Sequence, residues 1–209
     1  MFKTLSKTLS VLAFALVVSA CSDTDAPVEG KQYRTLETNL SSYRLPQVTE
    51  VFSLGCGHCR NLEPMLPNLE KLTDSKLGKV HVMFNESAQI AAMIFYSAVM
   101  QAENNQVPAD MKDELFALIQ NHDMDGNAKK TELDRIFESR GMVSPYELNE
   151  EQQKSLFDYL QLAESVSSAA KINAVPTFIV NGKYEVILGG HQDINEIAET
   201  INYLKSKEQ

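Results

Sequence analysis

Residues 54–60 read Leu54-Gly55-Cys56-Gly57-His58-Cys59-Arg60, LGCGHCR. Two cysteines at this spacing can hold a zinc ion, staple a loop, or carry electrons as a reversible disulfide. The flanking residues say where the pair sits. Gln47–Leu54 (QVTEVFSL) alternates apolar and polar positions and is rich in β-formers, which predicts a strand running straight into Cys56. After Cys59, residues Leu62, Met65, Leu66, Leu69 and Leu72 recur at helical spacing, with Pro64 placed to kink the helix. The pair therefore occupies a strand-to-helix junction.

The start of the chain assigns a compartment. Lys3 and Lys7 form a small basic region, Val11–Val18 is almost wholly apolar, and Val18-Ser19-Ala20 supplies small residues for cleavage. This apolar run is too short to cross a bilayer, so residues 1–20 read as a signal peptide. Cleavage before Cys21 leaves 189 of the 209 residues, enough for one domain with a sizeable core. Val18-Ser19-Ala20-Cys21 also resembles the lipobox of bacterial lipoproteins, in which the cysteine is lipidated. Ordinary cleavage at the same bond would leave a free thiol at the N-terminus in an oxidising space. Lipidation of Cys21 is therefore expected, and Ser22 in place of Asp favours outer-membrane over inner-membrane sorting. Residues 22–31 are polar and aperiodic, a tether reaching at most ~35 Å.

With Cys21 set aside, Cys56 and Cys59 are the two cysteines left of three. One closely spaced pair is no disulfide framework, and so short a loop restricts the unfolded chain little. Structural zinc wants four ligands, yet His81, His122 and His191 are scattered and His58 lies inside the loop. The redox reading is left, with no metal and no organic cofactor. Without the two signal lysines the chain has 17 basic and 28 acidic residues, a net charge of −11. That balance argues against nucleic acid as a partner.

The rest of the pattern is mixed. Lys79–Asn85 reads as a second strand. Thr177–Val180 and Lys183–Leu188 form a predicted hairpin around Asn181-Gly182, and Asp193 caps a final helix through Lys205. Between them lie helical stretches at 87–102, 110–120, 131–140 and 150–172. The fold class is α/β with a helical insertion. Its units are a tether at 21–31, an α/β domain at 32–86 and 173–209, and an inserted helical domain at 87–172. Asp123-Met124-Asp125-Gly126-Asn127 looks like a calcium loop, but its glycine falls too early, and a turn between helices is the reading kept.

A redox pair needs one exposed, ionisable thiol. A helix N-terminus provides it, because free backbone N–H groups and the helix dipole stabilise a thiolate. Strand–CGHC–helix order puts Cys56 there, with Cys59 one turn further in and His58 beside the sulfur. Stabilising the thiolate stabilises the reduced protein and makes the disulfide the stronger oxidant.

These features, with Pro64 five positions after Cys59 and Ala174-Val175-Pro176-Thr177 before a strand, resemble the thioredoxin superfamily. Within it the chain is similar to the DsbA family, periplasmic thiol oxidases with an inserted helical domain. Gly30-Lys31-Gln32-Tyr33, Glu50-Val51-Phe52-Ser53, Lys79-Val80-His81-Val82 and Phe178–Tyr184 match further DsbA segments. The resemblance implies that Pro176 is a cis-proline facing the pair and that Val175 and Pro176 bind the substrate chain. It implies that Glu50 and Lys79 form a charged pair beneath the site, either relaying protons to Cys59 or serving only as a strand-end ion pair. It also implies periplasmic location, reduced exported proteins as substrates, a DsbB-like quinone-linked membrane oxidase as partner, and a monomer.

Two departures keep alternatives open. Gly57 stands where DsbA proteins usually have proline, giving the CGHC of protein disulfide isomerases, and Leu54-Gly55 replaces aromatic residues. An isomerase or reductase is the second enzyme reading, and a lipoprotein chaperone or binding module with an idle pair is the third.

Overall fold

Val48–Phe52 forms β2, in which all five residues are buried, and this strand is the axis on which the fold is built. The computed structural model describes residues 26–207. The signal peptide, Cys21 and the first residues of the tether lie outside them. The chain runs β1 (Tyr33–Thr35), β2, α1 (Gly57–Leu62), α2 (Leu66–Thr73), β3 (Leu77–His81) and α3 (Glu86–Val99). It continues through α4 (Ala109–Gln120), α5 (Gly126–Glu138), α6 (Glu150–Ala169), β4 (Thr177–Val180), β5 (Tyr184–Val186) and α7 (Ile194–Ser206). The sheet order is β1-β5-β4-β2-β3. β2 pairs parallel with β3 and antiparallel with β4, which places Glu50 opposite Lys79 on one side and Phe178 on the other.

The strands divide their side chains between two cores. Phe178, Val180, Tyr184 and Val186 pack with Leu66 and Leu69 of α2 and Ile197, Ile201 and Leu204 of α7. Val51, Phe52, Val80 and Ile179 join the other core, with α3 to α6. Alternation along β4 sends Phe178 and Val180 one way and Ile179 the other, as a two-residue side-chain period requires. Full burial of each such side chain is worth roughly 1.5–3 kcal/mol. The helical insertion thus stacks on the sheet that carries the cysteine pair, and the architecture is the thioredoxin-like one with an inserted helical domain.

Local chemistry explains the boundaries. A short 3-10 turn at Glu63–Met65 containing Pro64 separates α1 from α2, the interruption expected from proline. The apolar face of that helix is narrower than its spacing suggested, because Met65 and Leu72 are exposed while Leu62, Leu66 and Leu69 are buried. Asn181 and Gly182 both have positive φ, the requirement of a tight hairpin turn. Asp193 accepts hydrogen bonds from the Asn195 and Glu196 N–H groups and starts α7. Asp125 does the same for Asn127 and Ala128, so the calcium-like stretch is a helix cap.

Two differences from the sequence pattern stand out. β3 begins at Leu77 and ends at His81, shifted towards the N-terminus by its pairing with β2. β1 carries too few residues to show periodicity, and it is held by antiparallel pairing with β5. Residues at the end of the expected tether fold back on it: Glu29 Oε1 accepts hydrogen bonds from both the N–H and the hydroxyl of Thr35.

Candidate active site

The junction of β2 and α1 is a turn closed by a hydrogen bond from the Cys56 N–H to the Ser53 carbonyl, 3.0 Å. Cys56 has extended backbone (φ −91°, ψ 113°) and is the N-cap of α1, its Sγ accepting a hydrogen bond from the Cys59 N–H at 3.1 Å. A sulfur in this place takes the role usually filled by a capping oxygen, satisfying an N–H that the helix itself leaves free. Both cysteines are free thiols. Their surroundings differ sharply. Cys56 is half-buried, whereas Cys59 is 0 % exposed and packs in the core with Phe52 and Leu54. Burial, aided by the hydrogen bond with Cys56, pushes the Cys59 thiol far above its ordinary range.

The segment before β4 completes the exposed side. The Val175–Pro176 peptide is cis, and the Val175 carbonyl oxygen lies 3.5 Å from Cys56 Sγ. Val175 and Pro176 are half-buried, and His58 is exposed on the first turn of α1. Of the residues singled out in the sequence, Cys56, Val175 and Pro176 are therefore brought together, with His58 two residues after Cys56 in the chain. Leu54, which stands where an aromatic residue was expected, has a fully buried side chain. At Gly57 an added Cβ would meet nothing within 4 Å, so the backbone there does not demand glycine.

Beneath the pair lies a second group. Glu50 is 0 % exposed, makes an ion pair with Lys79, and has its other oxygen, Oε1, without a hydrogen-bond partner. Burial raises the Glu50 carboxyl above the usual carboxylate range, with Lys79 opposing it. Glu50 in turn contributes to keeping Cys59 protonated.

The pair Glu50–Lys79 is part of a longer chain that sequence reasoning missed. Lys79 Nζ also lies 2.5 Å from Glu63 Oε1, and Lys112 Nζ lies 2.7 Å from Glu63 Oε2. Burial alone would raise the Glu63 carboxyl, but the charges of Lys79 and Lys112 outweigh it and hold it lowered. The same two carboxylates hold Lys79 charged against its own burial. Helical spacing carried a signal for Glu63, since it stands four residues after Cys59 on the same helix face. Nothing local pointed to Lys112, which arrives on α4 from the inserted domain.

His81 has no ligand-like spacing in the sequence. It is fully buried beside Phe52 and Phe95, and burial lowers its pKa to about 4. Its Nδ1 lies 2.7 Å from the Val82 carbonyl and must donate to it, which leaves Nε2 to accept from the Leu54 N–H at 2.8 Å.

Comparison with known proteins places the fold in a family. The thioredoxin family model matches residues 45–202. The chain is 29 % identical to the thiol:disulfide interchange protein DsbA of Salmonella typhimurium over 225 residues, covering 94 % of this chain and 97 % of that one. It is 24 % identical to DsbA of Pseudomonas aeruginosa over 204 residues, covering 96 % and 94 % respectively. The crystal structure of the disulfide oxidoreductase DsbA from Proteus mirabilis superposes with a TM-score of 0.62 at 20 % identity, covering 87 % of this chain and 98 % of that one.

Proposed function

Because this chain belongs to the thioredoxin family, in its DsbA branch, and is a thiol:disulfide oxidoreductase, we propose that it donates a Cys56–Cys59 disulfide to exported proteins in the periplasm. The observation that carries the proposal is the asymmetry of the pair: a half-buried Cys56 sulfur 3.5 Å from the Val175 carbonyl, and a Cys59 with no exposure. Only Cys56 is open to an incoming sulfur.

The exchange has two steps. A substrate thiolate attacks Cys56 Sγ of the disulfide, forming a mixed disulfide and expelling Cys59 as a thiolate. Cys59 is buried, so its charge is costly and it takes up a proton. Glu50, whose charge acts on the Cys59 thiol and whose own carboxyl burial keeps more protonated than usual, is the donor assigned to that step, and the Glu50–Lys79–Glu63–Lys112 chain supplies charge balance. A second substrate thiolate then attacks the substrate sulfur of the mixed disulfide and releases Cys56 as a thiolate. Substrate has lost two electrons and gained a disulfide; the cysteine pair has gained those electrons. The cap position of Cys56, with His58 on the same turn, favours this leaving group. Val175 and Pro176 hold the substrate chain.

The pair must then be reoxidised, and a DsbB-like quinone-linked membrane oxidase is the partner assigned to that step. Lipidation of Cys21 would fix the monomer to a membrane, the outer one by the residue that follows the cysteine. Gly57-His58 favours a second reading, a disulfide isomerase or reductase. The Cys56–Cys59 reduction potential separates them. A value between about −180 and −120 mV supports the donor, and one near thioredoxin's about −270 mV sinks it.

A further inference from the structure

Leu54 sits two residues before Cys56, and both of its peptide groups are tied from outside the turn. Its N–H donates to His81 Nε2 at 2.8 Å, and its carbonyl oxygen accepts from Gln120 Nε2 at 2.9 Å. We propose that His81 and Gln120 are positioning residues for thiol exchange, holding the Leu54 peptides and through them the direction in which Cys56 points. The inference rests on the reading that Cys56 is the sulfur attacked.

The geometry of the turn explains why such residues are needed. Ser53–Cys56 is closed by one main-chain hydrogen bond, and the Gly55 N–H is met locally by the Ser53 hydroxyl at 3.2 Å. The N–H and C=O of Leu54 have no partner within the turn, and buried peptide groups left unpaired are costly. Their two partners fix the peptide planes on either side of the Leu54 Cα and so fix its backbone angles. Cys56 Sγ must meet a substrate chain lying along Val175, on a segment remote in sequence. Reactive groups displaced by about 1 Å can lose on the order of a hundredfold in rate.

Each partner is itself held. The His81 ring has both nitrogens engaged, at the Val82 carbonyl and the Leu54 N–H, and lies edge-on to Phe52 with centroids 5.1 Å apart. The His81 backbone N–H donates to the Tyr96 hydroxyl at 2.9 Å. A ring so occupied cannot ferry protons, which leaves an orienting role. Gln120 is the last residue of α4, so its amide brings the inserted domain into direct contact with the catalytic turn. Arg60 of α1 and Asp113 of α4 add an ion pair between the helices on either side of this contact, at 3.2 Å.

The test is oxidation of a reduced two-cysteine peptide by the full-length oxidised protein, for Gln120→Leu and Gln120→Glu. Circular dichroism and urea midpoints establish that each variant is folded. Loss of one hydrogen bond to the turn in Gln120→Leu should lower kcat/KM about tenfold. In Gln120→Glu an ionised carboxylate faces the Leu54 carbonyl, and the loss should be larger at pH 7.5. As the pH falls to 5 the carboxyl gains a proton it can donate, so its deficit relative to wild type should narrow while that of Gln120→Leu stays constant. That pH signature is independent of any general loss of stability, and it carries the test if Gln120→Leu does not fold. Wild-type rates in both variants, or a Gln120→Glu deficit unchanged between the two pH values, would overturn the proposal. Cys56→Ser run in parallel keeps the two ideas apart. If it retains activity the exchange reading itself falls; if it is inactive and the Gln120 variants are normal, only the positioning role falls.

Discussion

Cys56 Sγ lies 3.5 Å from the Val175 carbonyl oxygen, although 119 residues separate them in the chain. The contact exists because β4 is antiparallel to β2, so the segment entering β4 meets the segment leaving β2 at one end of the strands, in the interior of the sheet. A peptide laid along Val175 and Pro176 would pass over the half-buried Cys56 sulfur.

The difference in burial between the two sulfurs makes their serine variants unequal. Cys59→Ser should accumulate a stable mixed disulfide on Cys56 when mixed with an oxidised peptide, because the resolving thiol is gone. Cys56→Ser should form none, since Cys59 has no exposed surface. Mass spectrometry under non-reducing conditions reads both, and an adduct of equal yield on Cys59 would contradict the assignment.

Gly57 is the first residue of α1, where a missing N–H does no harm and proline's fixed φ suits the helix. Nothing lies within 4 Å of an added Cβ there. Gly57→Pro should accordingly stabilise the fold by about 0.4–1 kcal/mol in urea unfolding. It also restores the dipeptide usual in the DsbA family, so the reduction potential should rise. A fall in the urea midpoint would show that the turn does not accept proline.

Glu63 neutralises two lysines at once, both largely buried. Removing its charge leaves Lys79 facing Glu50 alone and Lys112 without a carboxylate. Glu63→Gln should cost roughly 2–3 kcal/mol of stability. It should also slow formation of the mixed disulfide, as the Glu50–Lys79 balance beneath Cys59 shifts. Lys112→Met, which leaves Glu63 still paired with Lys79, should cost less, and the reverse ranking in urea unfolding would refute the order proposed.

His81 predicts the acid side of the stability curve. Burial, helped by the charge of Lys79 and opposed by the hydrogen bond to Val82, lowers its pKa to about 4 from an unfolded value of 6.5. The unfolded chain thus takes up a proton at His81 at a pH where the folded one resists it. Its stabilising contribution is full above pH 6.5 and is lost as the pH falls through 4, an effect on the order of 3 kcal/mol. Glu50 works the other way: its raised carboxyl favours the fold at low pH and loses that contribution as the pH rises. An NMR titration of the His81 imidazole isolates its share; a midpoint near 6.5 would remove it. Protonation would also take from the Leu54 N–H its acceptor.

Much of the local architecture was legible because the determinants were local. QVTEVFSL announced β2, Asn181-Gly182 the hairpin, Pro64 the break between α1 and α2, and Asp193 the start of α7. Where the pattern failed, a longer-range force had decided. β1 is a strand because β5 supplies its hydrogen bonds, and β3 starts at Leu77 because β2 sets its register. Met65 and Leu72 fit the helical period yet stay exposed, since the sheet covers a narrower stripe than the apolar residues offer.

For the site, the sequence by itself determined the chemistry: two cysteines at the spacing of an exchangeable disulfide, on a strand-to-helix junction whose free N–H groups suit a sulfur anion. Side-chain type and chain order suffice for that. Only the tertiary structure decided which atoms share the space around the pair. It brought Val175 to Cys56, assembled Glu63 and Lys112 onto the Glu50–Lys79 pair, and set His81 and Gln120 on the two sides of the Leu54 peptides. Charge and hydrogen bonding act through space over a few ångströms, and chain positions far apart come within that range only when the sheet and the inserted helices close around them.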